Sequence, residues 1–161
     1  MILGLTALGT VHTALGLVAL VAAVITLRRH GEILWSTGSG RFYLVTTILT
    51  ALTALGIFRH GGPGPGHVLA VLTLVAIGVG SLAGWFGAAS RIVRAVCFSV
   101  TLLFQLVPAS AETLTRLPVG APIAASPTSP ILGAVFALLL VATVIGISLQ
   151  VRWIRRSSAS R

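Results

Sequence analysis

Five apolar stretches of this sequence match the thickness of a bilayer: about 2–27, 41–58, 67–86, 91–117 and 131–151. Each is long enough to cross a hydrocarbon core of ~30 Å at ~1.5 Å per residue. In hydrocarbon, every backbone N–H and C=O must find its partner within the segment, so these stretches are expected to be α-helices. The expected fold is an all-α integral membrane helical bundle with five transmembrane helices. One transmembrane domain covers 1–151 and a basic tail covers 152–161. Composition agrees: 56% of residues are hydrophobic and 8% are charged, against about 25% charged in soluble domains.

The charged residues orient the bundle. All eleven basic residues are arginines. With five crossings, Arg28, Arg29, Arg41, Arg91, Arg94, Arg152, Arg155, Arg156 and Arg161 fall on one side, and only Arg59 and Arg116 fall on the other. Cationic residues beside a span stay cytoplasmic during insertion, so the N-terminus is expected outside and the C-terminus inside a plasma (inner) membrane. Trp35, Trp85 and Trp153 fall at the same cytoplasmic ends, where an amphipathic ring suits the headgroup layer. The formal charge of +9 does not point to nucleic acid. The arginines are spread over helix ends rather than gathered on one polar face, and anionic lipid is the plainer partner. Arg28 and Arg29 follow the first apolar stretch instead of preceding it, so that stretch reads as a span and not as a signal peptide. A single cysteine, Cys97, excludes an intrachain disulfide and any cysteine-rich metal motif.

Polar residues inside the apolar stretches are the candidate functional groups. Counting inward along the first span at 1.5 Å per residue puts His12 roughly 7 Å below the outer boundary. His67 opens the third span and His60 closes the second at a similar level. Glu112, the one acid in an apolar stretch, lies near the outer end of the fourth. Four helices thus each bring one group to the outer third of the bundle. Imidazoles bind transition metals and haem iron, and a carboxylate can support such ligands from behind, so His12 and His67, with His60 as a weaker third, form a candidate cofactor site for haem or a transition metal. The structural alternative has His60 and His67 solvated beside their loop and His12 bonded to a threonine or carbonyl of a neighbouring helix.

Glu112 has a candidate partner of its own. Gln105, Pro108, Glu112 and Arg116 form a stripe on one face of the fourth span. It serves either as a proton or cation relay or as an ion pair at the membrane surface. Pro108 lacks an N–H and is expected to bend that helix near Gln105. The glycine-rich turn 61–66 lacks the Lys-Ser/Thr ending of a phosphate cradle and reads as a short outer loop. His30, among Arg28, Arg29 and Glu32, reads as solvated. With no aspartate in the chain, no Ser-His-Asp set exists.

Two stretches carry a resemblance. Gly40-Arg41-Phe42-Tyr43-Leu44, then Thr53-Ala54-Leu55 and Gly64-Pro65-Gly66-His67-Val68-Leu69-Ala70, form one. Glu112-Thr113-Leu114-Thr115-Arg116-Leu117-Pro118 forms the other. Together with His12 they resemble the bacterial multi-pass membrane family catalogued as a domain of unknown function, number 2306, over roughly residues 12–118. The resemblance implies a small helical bundle with histidines near its membrane faces. Ser36 stands where family members often carry histidine, and 91–98 lacks the family's His and Met, so a ligand set on the cytoplasmic side is not carried over. The outer set of His12, His67 and Glu112 is.

Three functions follow as expectations. The first is a membrane protein binding a metal or haem through its outer histidines. The second is a small transporter or channel subunit using Glu112. The third is an accessory subunit of a larger membrane complex, whose small-residue faces (Gly9/Thr13, Ala19/Ala23, Thr46/Thr50, Ala142/Gly146) pack helices closely, within the bundle, in a homo-oligomer or against a partner.

Overall fold

The structure, a computed structural model, describes residues 6–58 and 62–159. His60 and Arg59 lie outside the described residues. The chain forms five α-helices: α1 (Ala7–His30), α2 (Gly38–Leu55), α3 (Pro65–Ser81), α4 (Ser90–Arg116) and α5 (Pro130–Ala159), with a 3-10 segment, Ala83–Ala89, leading into α4. Among the described residues there is no strand. Three helical stretches are long and apolar enough to cross a membrane: Ala7–His30, Ala83–Arg116 and Pro130–Ser157. α3 is apolar but only 17 residues long, and α2 opens on a polar turn, Gly38-Ser39-Gly40-Arg41.

Local chemistry sets the helix ends. Thr6 caps α1 by accepting the Gly9 N–H at 3.1 Å. Gly31, at φ 69°, ends it in the left-handed conformation and returns its N–H to Leu27 O, a conformation that glycine adopts without steric cost. Arg28, Arg29 and His30 occupy the last turn, where cations suit the negative end of the helix dipole. Thr37 caps α2 through the Gly40 N–H at 3.2 Å. Pro65 and Pro130 take first-turn positions in α3 and α5, where a missing N–H costs nothing.

Helix boundaries depart from the expected spans in three places. α3 stops at Ser81, and the chain tightens into the 3-10 segment, which turns at Gly87 (φ 54°, ψ −124°); the third span was expected to reach Phe86. α2 stops at Leu55, where the second span was expected to reach 58. The stretch from Arg152, read from the sequence as a basic tail, continues α5 as far as Ala159, and Gln150 and Ile154 of these turns are buried on the bundle.

α1 packs along α2, α2 on α3, α3 on α4 and α4 on α5, while α1 meets α4 over a short stretch. Bonds between elements align the ends. Trp35 Nε1 donates to Ser81 Oγ at 2.9 Å, Arg91 pairs with Glu32, and Gln150 Nε2 donates to Gly31 O at 2.7 Å. Arg28, Arg29, Arg41, Arg91, Arg94, Arg152, Arg155 and Arg156 therefore share one end of the bundle, here the arginine end, with all three tryptophans. Arg116 lies at the opposite, histidine end.

The two halves differ in packing. Ala19, Ala22, Ala23, Ile33, Tyr43, Leu44, Ile77 and Phe98 form one buried cluster, flanked by Leu27, Trp35, Ile48 and Leu102. All of them belong to the half nearer the arginine end. Gly80 allows this closeness: a Cβ there would meet Phe98 Cε1 at 2.5 Å. Threonine hydroxyls bond back into their own helices, for example Thr46 to Phe42 O at 2.8 Å, Thr50 to Thr46 O at 2.8 Å and Thr73 to Leu69 O at 2.7 Å, so polar side chains sit between helices with no water required. Outward faces are apolar and exposed, including Val21, Leu52, Val75, Leu138, Val144 and Leu149. Such a surface is suited to lipid rather than water.

Candidate functional site

The half nearer the histidine end is hollow. A cavity of about 450 Å³ lies between α1, α2, α3, α4 and the turn at Gly62–Gly64, and its lining includes His12, His67, Gln105 and Glu112. Small residues make the room: Gly9, Thr13 and Gly16 from α1, Thr50, Ala51 and Ala54 from α2, Ala70 and Thr73 from α3, and Ala109 from α4. Leu17, Leu20, Leu69, Phe104 and Pro108 complete an apolar wall. The floor is polar. Gln105 Nε2 donates to Thr47 Oγ1 at 2.7 Å, and Tyr43 Oη and Thr101 Oγ1 are 2.7 Å apart beneath it. Below these lies the packed cluster.

The two histidines are held in opposite senses. His12 Nδ1 is 3.0 Å from Thr50 O and 3.2 Å from Thr53 Oγ1. A carbonyl only accepts, so Nδ1 carries the proton and a neutral ring has its lone pair on Nε2. The Thr53 hydroxyl spends its own proton on Leu49 O or Thr50 O, both at 2.9 Å. His67, in the first turn of α3, reaches back and accepts the Gly64 N–H on Nδ1 at 3.1 Å. Its proton therefore belongs on Nε2, which is buried and has no partner. The His67 ring leans on Phe58, with centroids 4.8 Å apart.

These bonds decide what each imidazole can ligate. A ligating imidazole presents one nitrogen lone pair and donates from the other. His12 has that arrangement. His67 has its reverse, because the nitrogen not held by Gly64 is the one that carries the proton. Among the described residues, no group of three or more His, Cys, Asp and Glu converges as a metal site. His60 lies outside the described residues. The metal or haem expected from His12 and His67 thus gains no support from their geometry.

Glu112 and Arg116 form an ion pair at 2.5 Å, one turn apart on α4 at the mouth of the cavity. Gln105 sits deeper on the same helix, 7% exposed, with Oε1 unpartnered. Cys97, on the arginine side of the cluster, packs beside Gly80. His30 is exposed.

A second polar cluster was not anticipated in the sequence. Glu32, named in the sequence only as a neighbour of His30, is 5% exposed. It accepts from Arg91 Nη2 at 2.8 Å and Nε at 3.2 Å, and Arg91 lies over the Trp153 ring at 5.0 Å. Ser99 Oγ donates to Gln150 Oε1 at 2.8 Å. This cluster ties the α1–α2 loop to α4 and α5. The hint in the sequence is that Glu32, one of two acids, precedes the apolar run Ile33-Leu34-Trp35, which buries the loop.

No protein-family model, curated protein or solved structure matches the chain.

Proposed function

We propose that this is a multi-pass plasma-membrane protein that binds a small molecule in its hollow half, with His12 and His67 as polar contacts. One observation carries the proposal: four polar residues from three helices line a single half-open space, above a packed floor. Cavities of this size, mostly apolar with a few converging polar groups, are the usual form of a small-molecule site. The packed half favours binding over conduction. The opposed hydrogen bonding of the two imidazoles favours an organic occupant over a bridging metal.

Within the same proposal, all five helices cross the bilayer, with the N-terminus outside and the arginine end in the cytoplasm, which puts the cavity in the outer half. The one-sided arginines support this orientation. The 3-10 segment lengthens α3 toward the headgroups. Kinship with the family of number 2306 rests on the stretches around His12, His67 and Glu112 alone. A partner in the membrane is a second reading, favoured by α5: its small residues Ala142 and Gly146 are exposed between Leu138 and Leu149 among the described residues.

Native mass spectrometry of the detergent-purified protein, with optical spectra of oxidised and reduced samples and elemental analysis, tests the assignment. The expected result is an added organic mass that Ala109→Phe, which fills the cavity, removes. A Soret band or a stoichiometric metal would return His12 and His67 to the role of ligands. A bare chain with either side chain at residue 109 would refute the binding function.

A further inference from the structure

The hollow is half-open, and the course of its rim decides what can reach it. On α1 the lining starts at His12 and Gly16, which lie against Thr50 of α2. It then passes round the helix through Thr13 to Leu17. At about 100° per residue, Leu17 lies nearly opposite Ala19 and Thr26, which are fully buried. Thr13 and Leu17 are exposed, Leu17 by 58%. A residue that both lines a hollow and is open to the outside marks its rim. Leu17 comes ten residues after Ala7, roughly 15 Å along the helix, so from the histidine end the rim runs down the flank of the bundle to mid-span. Thr113, on α4, is a second exposed lining residue. Both helices belong to stretches long and apolar enough to cross a membrane, and Val18 and Val21 beside Leu17 are exposed. In a bilayer, hydrocarbon rather than water lies outside the rim at that depth.

The wall at this depth calls for no polar occupant. Thr13 donates to Gly9 O at 2.9 Å, Thr50 to Thr46 O at 2.8 Å, Thr73 to Leu69 O at 2.7 Å and Thr113 to Ala109 O at 2.7 Å. These hydroxyl protons are spent inside their own helices. Leu17, Leu20, Leu69 and Phe104 supply apolar surface, while the Glu112–Arg116 pair stays at the mouth. From Gly9 to Leu20 the lining runs roughly 16 Å along α1, about the depth of one leaflet in a ~30 Å core. We propose that the occupant is an acyl chain of a membrane lipid, which enters sideways past Leu17 and keeps its polar end level with the histidines. The assignment rests on the hollow being a binding site and names what it binds. A lipid chain matches the height of the lining, needs no hydrogen bond along the leucines, and is the molecule already present at the rim. A hydrophilic solute would lose its hydration on this wall without replacement.

Photolabelling in liposomes tests this. The full chain is reconstituted with a phosphatidylcholine that carries a diazirine halfway along one acyl chain, irradiated, and its adducts located by tandem mass spectrometry. An adduct is expected at Ala54, which lines the hollow and is half-buried. Ala54 shares its helix face with buried Thr47 and Ala51, so a chain reaches it only through the hollow. Adducts at the exposed Val21 and Val75 come from surrounding lipid and serve as the reference. Ala109→Phe is expected to lose the Ala54 adduct and keep the reference ones. Reference adducts without one at Ala54 in the unaltered chain would overturn the lipid assignment, whether or not the variant folds. If native mass spectrometry then still finds an organic mass that is not a lipid, the hollow remains a site with another occupant. A bare chain takes both proposals down.

Discussion

A single hydrogen atom on Gly80 separates close packing from collision. A Cβ at this position would lie 2.5 Å from Phe98 Cε1, 2.7 Å from Cδ1 and 3.1 Å from Cys97 Cβ, and Phe98 is fully buried, with nowhere to move. Gly78, one half-turn away, has nothing within 4 Å. Gly80→Ala is expected to cost about 1–3 kcal/mol, as overpacked cores do, and Gly78→Ala to be neutral or slightly stabilising through helix propensity. Thermal unfolding of the two variants in the same detergent checks this; equal melting temperatures would contradict the packing described. At the residue scale, the cavity's side chains were legible because depth along a membrane helix is a matter of counting. His12, His67 and Glu112 were placed near one level by rise per residue alone, and all three line the same space, with Gln105 deeper on α4. Their hydrogen-bond senses were not legible. Whether an imidazole donates or accepts at Nδ1 depends on a carbonyl of α2 for His12 and on a turn N–H for His67. Glu32 was hidden for a similar reason: its partner Arg91 is 59 positions away, and only the fold brings them together.

Among the elements, α5 is the least embedded. It packs on α4, and its exposed residues include Leu138, Leu140, Val141, Val144, Ile145 and Leu149. Near its arginine end it is fastened by Gln150, which accepts from Ser99 at 2.8 Å and donates to Gly31 O at 2.7 Å. Gln150→Leu removes both of these part-buried bonds, at about 0.5–1.5 kcal/mol for each. The expected outcome is faster hydrogen exchange in α5 and in the α1–α2 loop, with α2 and α3 unchanged. Uniform exchange across the chain would show that the fastening is not local. The five helices were legible as apolar runs, since length and hydropathy are properties of the sequence itself. Their ends were less so. Gly56 closes α2 with an N–H to Thr53 O at 3.1 Å, short of Phe58, and the helical tail from Arg152 depends on the burial of Ile154 against the rest of the bundle.

For the whole molecule, the division into a packed half and a hollow half was not visible in the sequence. Both halves are apolar and rich in small residues; which of these close on a neighbour and which leave room depends on how the helices pack against one another. The sidedness of the arginines was visible and is carried into the fold, with Arg116 alone at the histidine end among the described arginines. Single cysteines placed at Gly62 and at Arg155 in a Cys97→Ala chain test the orientation. A membrane-impermeant maleimide added to intact cells is expected to label position 62 and to reach position 155 only after lysis. The reverse pattern would invert the topology.

The hollow ends against Gln105, Thr47, Tyr43 and Thr101, with Phe98 beneath them, and so forms a dead end and not a bore. On the proposed binding reading, whatever enters must leave by the end it came from, so occupancy follows the ligand's concentration there.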